Sequence, residues 1–254
     1  MIDVSTIGRG PVVVFVHGSI VGAESTWRHQ RPLAERWTLC LANRPGFGAS
    51  PALARGDFEL EAPLIAEQLG EGAHLVGHSY GAVVALYAAL LRPDAVRSLT
   101  VSEPGALRLA AGDPAVDAAI AHGLELYRRR DEVTPREFLE LFRMGVGSTH
   151  QTPSELPEQL RRGVELLMSE RPPWEAEIAV DELARAPFAK LVISGGHSDV
   201  FEAVCDALAS GVGAQRAIIP GRGHTIPACG AAYNERLAAF LEESERRLTE
   251  SEST

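Results

Sequence analysis

Short runs of apolar, often β-branched residues recur along the chain and are separated by segments whose apolar residues have helical spacing. A continuous apolar run such as PVVVFVHG at 11–18 is typical of a strand that is buried on both faces of a parallel sheet. Further runs predict strands in the same way at 38–46, 72–81, 98–104, 189–196 and 215–221. Helical spacing predicts helices at 26–37, 61–70, 82–93, about 200–210 and about 228–246. We therefore expect strands that alternate with helices.

Strands that alternate with helices predict a mostly parallel, doubly wound sheet with right-handed connections. One stretch breaks this alternation, because residues 106–186 are rich in charge and helical spacing and contain no strand-like run. This stretch is too long for a simple crossover, so we expect a helical cap inserted after the strand at 98–104. The expected domains are an α/β core formed by 1–105 and 187–254 and a helical cap formed by 106–186.

The composition limits the partners and sites that this chain can have. Its 254 residues, 45% of them hydrophobic, suffice for a buried α/β core. The 24 basic and 34 acidic residues give a net charge of −10, which disfavours nucleic acid and anionic membranes as partners. The cysteines, Cys40, Cys205 and Cys229, are widely spaced and no cluster has metal-ligand spacing, so neither a disulfide framework nor a metal site is expected. We expect no cofactor, and we expect a cytoplasmic protein because the sequence shows neither a secretory signal nor a membrane span.

Gly77-His78-Ser79-Tyr80-Gly81 is the stretch with the clearest chemistry. It follows a predicted strand and precedes a predicted helix, which is the context of a nucleophile held at a sharp strand-to-helix turn. The backbone of such a turn is strained, so the residues two positions away on either side have to be small. The turn lifts the hydroxyl clear of the sheet, and the N-terminus of the next helix favours negative charge beside it. Ser79 is therefore the predicted nucleophile.

The chain resembles the α/β-hydrolase fold superfamily over nearly its full length. The resemblance rests on the stretches VVVFVHGS, NRPGFGAS, VGHSYGA and PGRGHTIP. It implies a catalytic triad in the order serine, acid, histidine, with the histidine in the Gly-His loop after the last strand, which is His224. It also implies an oxyanion hole made of two backbone N–H groups, one from Tyr80 and one from the loop after the first buried strand. Ser19 is the favoured second donor, and Gly18 is the alternative.

Two carboxylates compete for the place of the triad acid, which fixes the histidine tautomer and stabilises the imidazolium. Asp199 follows the strand after the predicted cap, where most of the superfamily keeps its acid. Glu103 ends the strand directly after the nucleophile helix, where a minority keeps it, and a carboxylate at this buried strand end needs a partner. We favour Glu103, with Asp199 as the alternative. The Ser-to-Glu interval and the Glu-Pro strand ending resemble the zearalenone lactone hydrolases, whose acid occupies this strand.

The expected activity is hydrolysis of a carboxylic ester or lactone of an apolar small molecule through an acyl-enzyme on Ser79, with a macrocyclic lactone of zearalenone type as a narrower hypothesis. Apolar residues of the predicted cap suggest an apolar substrate, and Trp174, Met144 and Met168 are the candidate contacts. The alternatives are a serine-dependent C–C bond hydrolase and a slow-turnover ligand-binding receptor of the same fold. Haloalkane dehalogenases and epoxide hydrolases are disfavoured, because both need an aspartate where Ser79 stands. The oligomeric state is open, and a homodimer is compatible with the sequence.

Overall fold

A seven-stranded sheet runs through the part of the chain described by the computed structural model, residues 1–148 and 151–252. Its strands are β1 (Val4–Gly8), β2 (Val12–Val16), β3 (Thr38–Ala42), β4 (Ala73–His78), β5 (Val96–Ser102), β6 (Ala189–Ser194) and β7 (Gln215–Ile218). They lie in the order β1-β3-β2-β4-β5-β6-β7. β1 runs antiparallel to β3, and all other neighbours are parallel. The predicted mostly parallel, doubly wound sheet is confirmed.

The central strands β2 and β4 are buried on both faces of the sheet, which explains their continuous apolar sequences. Successive side chains of a strand point to opposite faces. Val13 and Phe15 accordingly enter one apolar cluster, while Val14 and Val16 enter a second cluster on the other face. The sheet therefore carries the core of the molecule between two layers of helices.

Helices cover both faces of the sheet. The helices of the described chain, including those of the segment between β5 and β6, are α1 (Ala23–Thr26), α2 (Phe58–Ala66), α3 (Tyr80–Leu91), α4 (Pro114–Arg128), α5 (Pro135–Gly145), α6 (Glu158–Ser169), α7 (Val180–Arg185), α8 (Asp199–Val212) and α9 (Ala231–Glu252). α2, α3 and α8 pack on the face that contains Val14, whereas α1 and α9 pack on the face that contains Phe15. Within the described residues, no helix combines the length and the apolar character needed to cross a membrane.

Between β5 and β6, the described residues form helices and loops but no strand, and we call residues 106–186 the helical segment. Two of its helices begin at strong start signals, since the Asp113 carboxylate caps α4 and Thr134 forms a capping box with Glu137 at the start of α5. The apolar faces of these helices form a third cluster, which includes Phe201 of α8. That the helical segment is a separate cap domain stays a prediction.

The structure differs from the sequence-based expectation in three places. Residues 4–8, for which no strand is predicted, form the antiparallel edge strand β1. Residues 26–37, predicted as one helix, form the end of α1 and a 3-10 helix at Arg28–Glu35, because Pro32 lacks an N–H donor and interrupts α-helical bonding. The last helix continues to Glu252, beyond its predicted end at about residue 246.

Candidate active site

Ser79 occupies the turn between β4 and α3 with φ 56° and ψ −121°, and a positive φ is uncommon outside glycine. Its N–H donates to the carbonyl of Ser102 on the neighbouring strand at 2.9 Å, which anchors the turn to the sheet. A Cβ at Gly77 would lie 2.6 Å from the backbone of α3, and one at Gly81 would lie 2.2 Å from the carbonyl oxygen of His17. Both glycines are therefore required by the close approach of other backbone segments.

Three side chains meet at the carboxyl end of the sheet, namely those of Ser79, His224 and Glu103. The Ser79 Oγ lies 2.9 Å from Nε2 of His224, and Nδ1 of the same ring lies 2.6 Å from Oε2 of Glu103. These distances fit an imidazole that donates from Nδ1 to the carboxylate and accepts the serine proton at Nε2. The three residues come from separate places: the β4–α3 turn, the end of β5 and the loop after β7. The structure thus brings together the residues that the sequence predicts as a triad.

Glu103, rather than Asp199, is the carboxylate that reaches the histidine. Glu103 is fully buried at the end of β5 with φ 42°, and its Oε1 accepts the N–H of Gly195 at 2.8 Å. Asp199 is exposed at the start of α8 and makes no hydrogen bond to His224 in the described part of the chain. A carboxylate in the first turn of a helix is favoured by the helix dipole, which accounts for Asp199 without a catalytic role. The alternative that Asp199 is the triad acid therefore does not fit the geometry.

Burial controls the protonation of the pair formed by His224 and Glu103. Loss of solvent lowers the pKa of His224, and the neighbouring His197 lowers it further. The same loss of solvent raises the pKa of Glu103, while the hydrogen bond from Gly195 opposes that shift. The imidazole is therefore neutral near neutral pH, as a general base has to be. The ring also lies flat against Phe201, with ring centroids 4.4 Å apart, which restricts its rotation.

A second histidine, which is not among the sequence-based site residues, lies beside the other oxygen of Glu103. Nδ1 of His197 is 3.3 Å from Glu103 Oε1, although the contact does not have the angles of a hydrogen bond. Its Nε2 lies 3.4 Å from the carbonyl oxygen of Val146, so the ring lies between Glu103 and the helical segment. The signal that could have found His197 is its position just after β6, because the ends of neighbouring parallel strands lie at one edge of the sheet.

The loop after β2 lies directly against Ser79. A Cβ at Gly18 would be 3.0 Å from the Cβ of Ser79, so the backbone of this loop passes beside the serine. Among the described residues, the backbone N–H groups of Ser19 and Tyr80 have no hydrogen-bond acceptor. The Ser19 hydroxyl is engaged elsewhere, since it donates to Glu170 at 2.5 Å. Two unpaired N–H groups beside the serine are the donors that an oxyanion hole requires.

An apolar cavity of about 690 Å³, including its solvent-open part, adjoins Ser79. Its wall consists mainly of aromatic and aliphatic side chains of the helical segment: Leu126, Tyr127, Phe142, Val146, Leu167 and Trp174. No Asp, Glu, Lys or Arg side chain among the described residues lines it. The cavity suits an apolar group.

Of the three residues predicted to contact substrate, only Trp174 lines the cavity. Met144 is 70% exposed on the solvent side of α5, whereas Phe142 on the same helix lines the cavity. Met168 is half-buried in the apolar cluster of the helical segment, next to Leu167, which does line the cavity. Successive residues of a helix point about 100° apart, so the neighbour of a lining residue packs elsewhere. Met144 and Met168 therefore do not line the cavity beside Ser79, and their contact with a substrate stays a prediction.

A second, more polar depression shares Ser79 and His224 with the apolar cavity. We call it the outer groove, and its other lining residues include Arg28, His29 and Arg143. No carboxylate in the described part of the chain lines it. The serine therefore lies where an apolar space and a polar space meet.

The chain is similar in sequence and in fold to known hydrolases. A family model described as "Alpha/beta hydrolase family" matches residues 13–240. The pimeloyl-(acyl-carrier protein) methyl ester esterase of Methylococcus capsulatus is 36% identical over 182 residues, which cover 68% of this chain and 65% of that protein. Its counterpart in Chromobacterium violaceum is 40% identical over 98 residues, 39% of each chain, so the match spans less than two thirds of either relative. An alpha/beta hydrolase structure from Sphaerobacter thermophilus, at 22% identity, has a TM-score of 0.70 and covers 94% of this chain and 95% of its own, a likeness of fold.

Proposed function

Since the chain belongs to the alpha/beta hydrolase family, we propose that it is a serine hydrolase that cleaves carboxylic esters through an acyl-enzyme on Ser79. The observation that carries this proposal is the continuous line of hydrogen bonds from Ser79 Oγ through both nitrogens of His224 to Glu103, with distances of 2.9 and 2.6 Å. The relatives that are named as methyl ester esterases support the same class of bond.

In the proposed acylation step, His224 Nε2 takes the proton of Ser79 as Oγ attacks the carbonyl carbon of the ester. The carbonyl oxygen gains negative charge, and the N–H groups of Ser19 and Tyr80 donate to it. Glu103 keeps a proton on Nδ1, so that Nε2 is the free base, and stabilises the imidazolium that forms. The imidazolium then protonates the alkoxy oxygen as the C–O bond breaks, and the alcohol leaves.

Deacylation repeats these roles with water as the nucleophile. His224 removes a proton from water as the water oxygen attacks the acyl carbon, and the same two N–H groups donate to the second oxyanion. The proton returns to Ser79 as the carboxylic acid leaves. Both steps begin with a neutral imidazole, which is the state that burial of His224 favours.

The two spaces beside Ser79 support an assignment for the two halves of the substrate. We place the acyl group in the apolar cavity, whose lining side chains carry no charge, and the alkoxy group in the outer groove beside Arg28 and Arg143. Each CH₂ group that is buried contributes about 0.8 kcal/mol, or about fourfold in an equilibrium or rate constant. The kcat/KM of p-nitrophenyl esters should therefore rise with each added CH₂ of the acyl chain until the cavity is full.

A macrocyclic lactone of the zearalenone type is the second candidate substrate, favoured by the position of Glu103 at the end of β5. In a lactone the acyl and alkoxy halves belong to one ring, so the cavity and the outer groove would have to admit it together. Each lactone can be paired with the open-chain methyl ester of the corresponding hydroxy acid. A higher kcat/KM for the ring would support the lactone, and a higher value for the open chain would support general ester hydrolysis.

The nucleophile itself is tested by Ser79→Ala, with the exposed Ser154→Ala as the matched control. We expect Ser79→Ala to lose at least about 10⁴-fold in kcat, because removing a triad nucleophile abolishes the covalent route. Mass spectrometry of the wild type mixed with a slowly hydrolysed p-nitrophenyl ester should show one acyl group on the peptide that contains Ser79. Undiminished turnover in Ser79→Ala, or acylation at another residue, would overturn the proposed function.

A further inference from the structure

A buried group of charged side chains outside the triad lies beside the oxyanion loop, which we define as residues 18–20. The Arg44 guanidinium donates to both oxygens of Glu61, at 2.7 and 3.1 Å, and to Oε1 of Glu170 at 2.7 Å. All three side chains are at most 3% exposed. Buried charges are costly even when they are paired, and apolar residues could fill the same space. One cation facing two carboxylates therefore calls for a role other than packing.

This charged group holds the oxyanion loop at two points. The second oxygen of Glu170, Oε2, accepts a hydrogen bond from the Ser19 hydroxyl at 2.5 Å. Nη1 of Arg44 donates to the carbonyl oxygen of Gly18 at 3.1 Å. The guanidinium also lies over the ring of Tyr80, 4.1 Å from its centroid, and so contacts the residue that supplies the other proposed N–H donor. The side chain of Ser19 and the peptide before it are both fixed, while the Ser19 N–H is left available.

The oxyanion loop has a strained backbone that needs such support. Ile20 has φ 78°, a conformation that is an outlier for a β-branched residue. The backbone of α6 closes on this residue, since a Cβ at Gly163 would lie 1.8 Å from the Ile20 carbonyl oxygen. Glu170 directly follows the last residue of α6, so the helix and the carboxylate contact the loop together. Strained residues persist where the surrounding structure holds them, and here α6 and Glu170 do so.

We propose that Glu170 is a positioning residue for the oxyanion hole and that, through the Ser19 hydroxyl, it fixes the direction of the Ser19 N–H. This inference rests on the proposed ester hydrolysis at Ser79. Glu170 belongs to the helical segment and Ser19 to the loop after β2, so the helical segment supports the transition state as well as forming the cavity wall. Glu170 does not touch the reacting atoms, and the oxyanion forms only in the transition state. Its effect is therefore expected in kcat rather than in KM.

Hydrolysis of p-nitrophenyl butyrate by full-length variants tests this role. Glu170→Met keeps the size of the side chain and removes both acceptors, whereas Ser19→Ala removes the hydroxyl and keeps the N–H. Each change should lower kcat by about 10- to 100-fold and alter KM by less than about threefold, since misplacing one donor costs up to about 10²-fold. The double variant should be no slower than the slower single variant, because both changes remove one contact. Glu165→Met, on the exposed side of the same helix, is the matched control and should keep kcat within about twofold.

Glu170→Gln separates positioning from charge. A glutamine can accept from Arg44 through its oxygen and donate to the Ser19 hydroxyl oxygen through its NH₂ group, so the contact is kept without the charge. A kcat within about fivefold of the wild type for Glu170→Gln, beside a large loss for Glu170→Met, would support positioning. Undiminished kcat in Glu170→Met or Ser19→Ala, or losses that multiply in the double variant, would overturn the proposal.

Hydrogen exchange supplies a readout that does not depend on turnover. If the wild type hydrolyses no ester, the proposed function fails, and the support of the loop can still be measured. Peptides that contain residues 18–20 should exchange at least about tenfold faster in Ser19→Ala than in the wild type, while peptides of α9 stay unchanged. Equal exchange in the two proteins would overturn the inference by itself. Ser19→Ala leaves the ion pairs of Arg44 in place, so it carries the test if Glu170→Met does not fold.

Discussion

Replacing Glu103 by glutamine should remove most of the turnover while the fold persists. In the native site, Oε2 of Glu103 accepts the Nδ1–H of His224 at 2.6 Å, and Oε1 accepts the N–H of Gly195 at 2.8 Å. A glutamine offers one acceptor oxygen and one NH₂ donor. Because the Gly195 N–H keeps the oxygen, the NH₂ group faces Nδ1 and the imidazole proton moves to Nε2. That nitrogen can then no longer take the proton of Ser79.

The size of the effect follows from the tautomer. Holding a triad histidine in the wrong tautomer lowers kcat by about 10⁴-fold, which is about 5.4 kcal/mol at 1.36 kcal/mol per decade. We expect a loss of about 10³- to 10⁴-fold here. KM should change little, because Glu103 is fully buried and does not line the apolar cavity. One altered buried hydrogen bond costs about 1–3 kcal/mol of unfolding free energy, which a chain of this length can tolerate.

The assay is the release of p-nitrophenolate from p-nitrophenyl butyrate at saturating substrate. Asp199→Asn is the matched control, since Asp199 is an exposed carboxylate in the first turn of α8, and its kcat should stay within about twofold of the wild type. Circular dichroism and thermal unfolding establish that both variants are folded. A kcat for Glu103→Gln within about tenfold of the wild type would refute the assigned triad, and so would an equal loss in Asp199→Asn.

Three further predictions concern His17, Trp174 and Gly81. Burial and the Arg44 guanidinium lower the pKa of His17 to about 3, so its NMR signals should not titrate between about pH 8 and about pH 5. In the unfolded chain, His17 takes up its proton near pH 6.5, so the unfolding free energy should fall by about 1 kcal/mol as the pH is lowered from about 7 to about 5.5. An NMR titration midpoint of His17 near pH 6.5 would contradict the lowered pKa. Trp174→Ala should raise the kcat/KM for p-nitrophenyl octanoate relative to that for p-nitrophenyl butyrate by about tenfold, because it enlarges the cavity. The control variant Met144→Ala should leave this ratio unchanged. An unaltered ratio in Trp174→Ala would argue against the cavity as the acyl site. Gly81→Ala places a Cβ 2.2 Å from the His17 carbonyl oxygen and should cost more than about 3 kcal/mol in urea unfolding, so an unchanged midpoint would contradict the tight turn.

The proposed triad could be predicted because its members stand beside strong local signals. Ser79 lies in a Gly-x-Ser-x-Gly turn after an apolar strand, and His224 lies in a Gly-His loop after the last strand. The sequence could not decide between two residues for the acid, since carboxylates follow both β5 and β6. The structure separates them through strand register, which pairs His78 with Ser102 and so sets Ser79 beside Glu103. Register between distant strands has no signature in a single sequence.

The cavity wall and the buried charges could not be predicted, for related reasons. An apolar residue on an amphipathic helix can face either a cavity or a neighbouring helix, and the rotation of the helix about its axis decides which. Leu167 and Met168 are adjacent and differ in just this way. The contact between Arg44 and Glu170 joins residues 126 positions apart, and the sequence around neither residue indicates that the two lie together.

The sheet holds Ser79 and Glu103 independently of the helical segment, so the substrate range of this fold could be changed by replacing that segment. Each of these residues has its N–H bonded to the carbonyl of a neighbouring strand, at 2.9 and 3.0 Å, before the chain enters the helical segment. Grafting a helical segment from another family member should therefore bring a new pocket without displacing Ser79 or Glu103. Such a graft should keep a carboxylate at the position of Glu170, because without it the chimera would have new specificity but a lower kcat. Grafts chosen to retain it should inherit specificity and speed together.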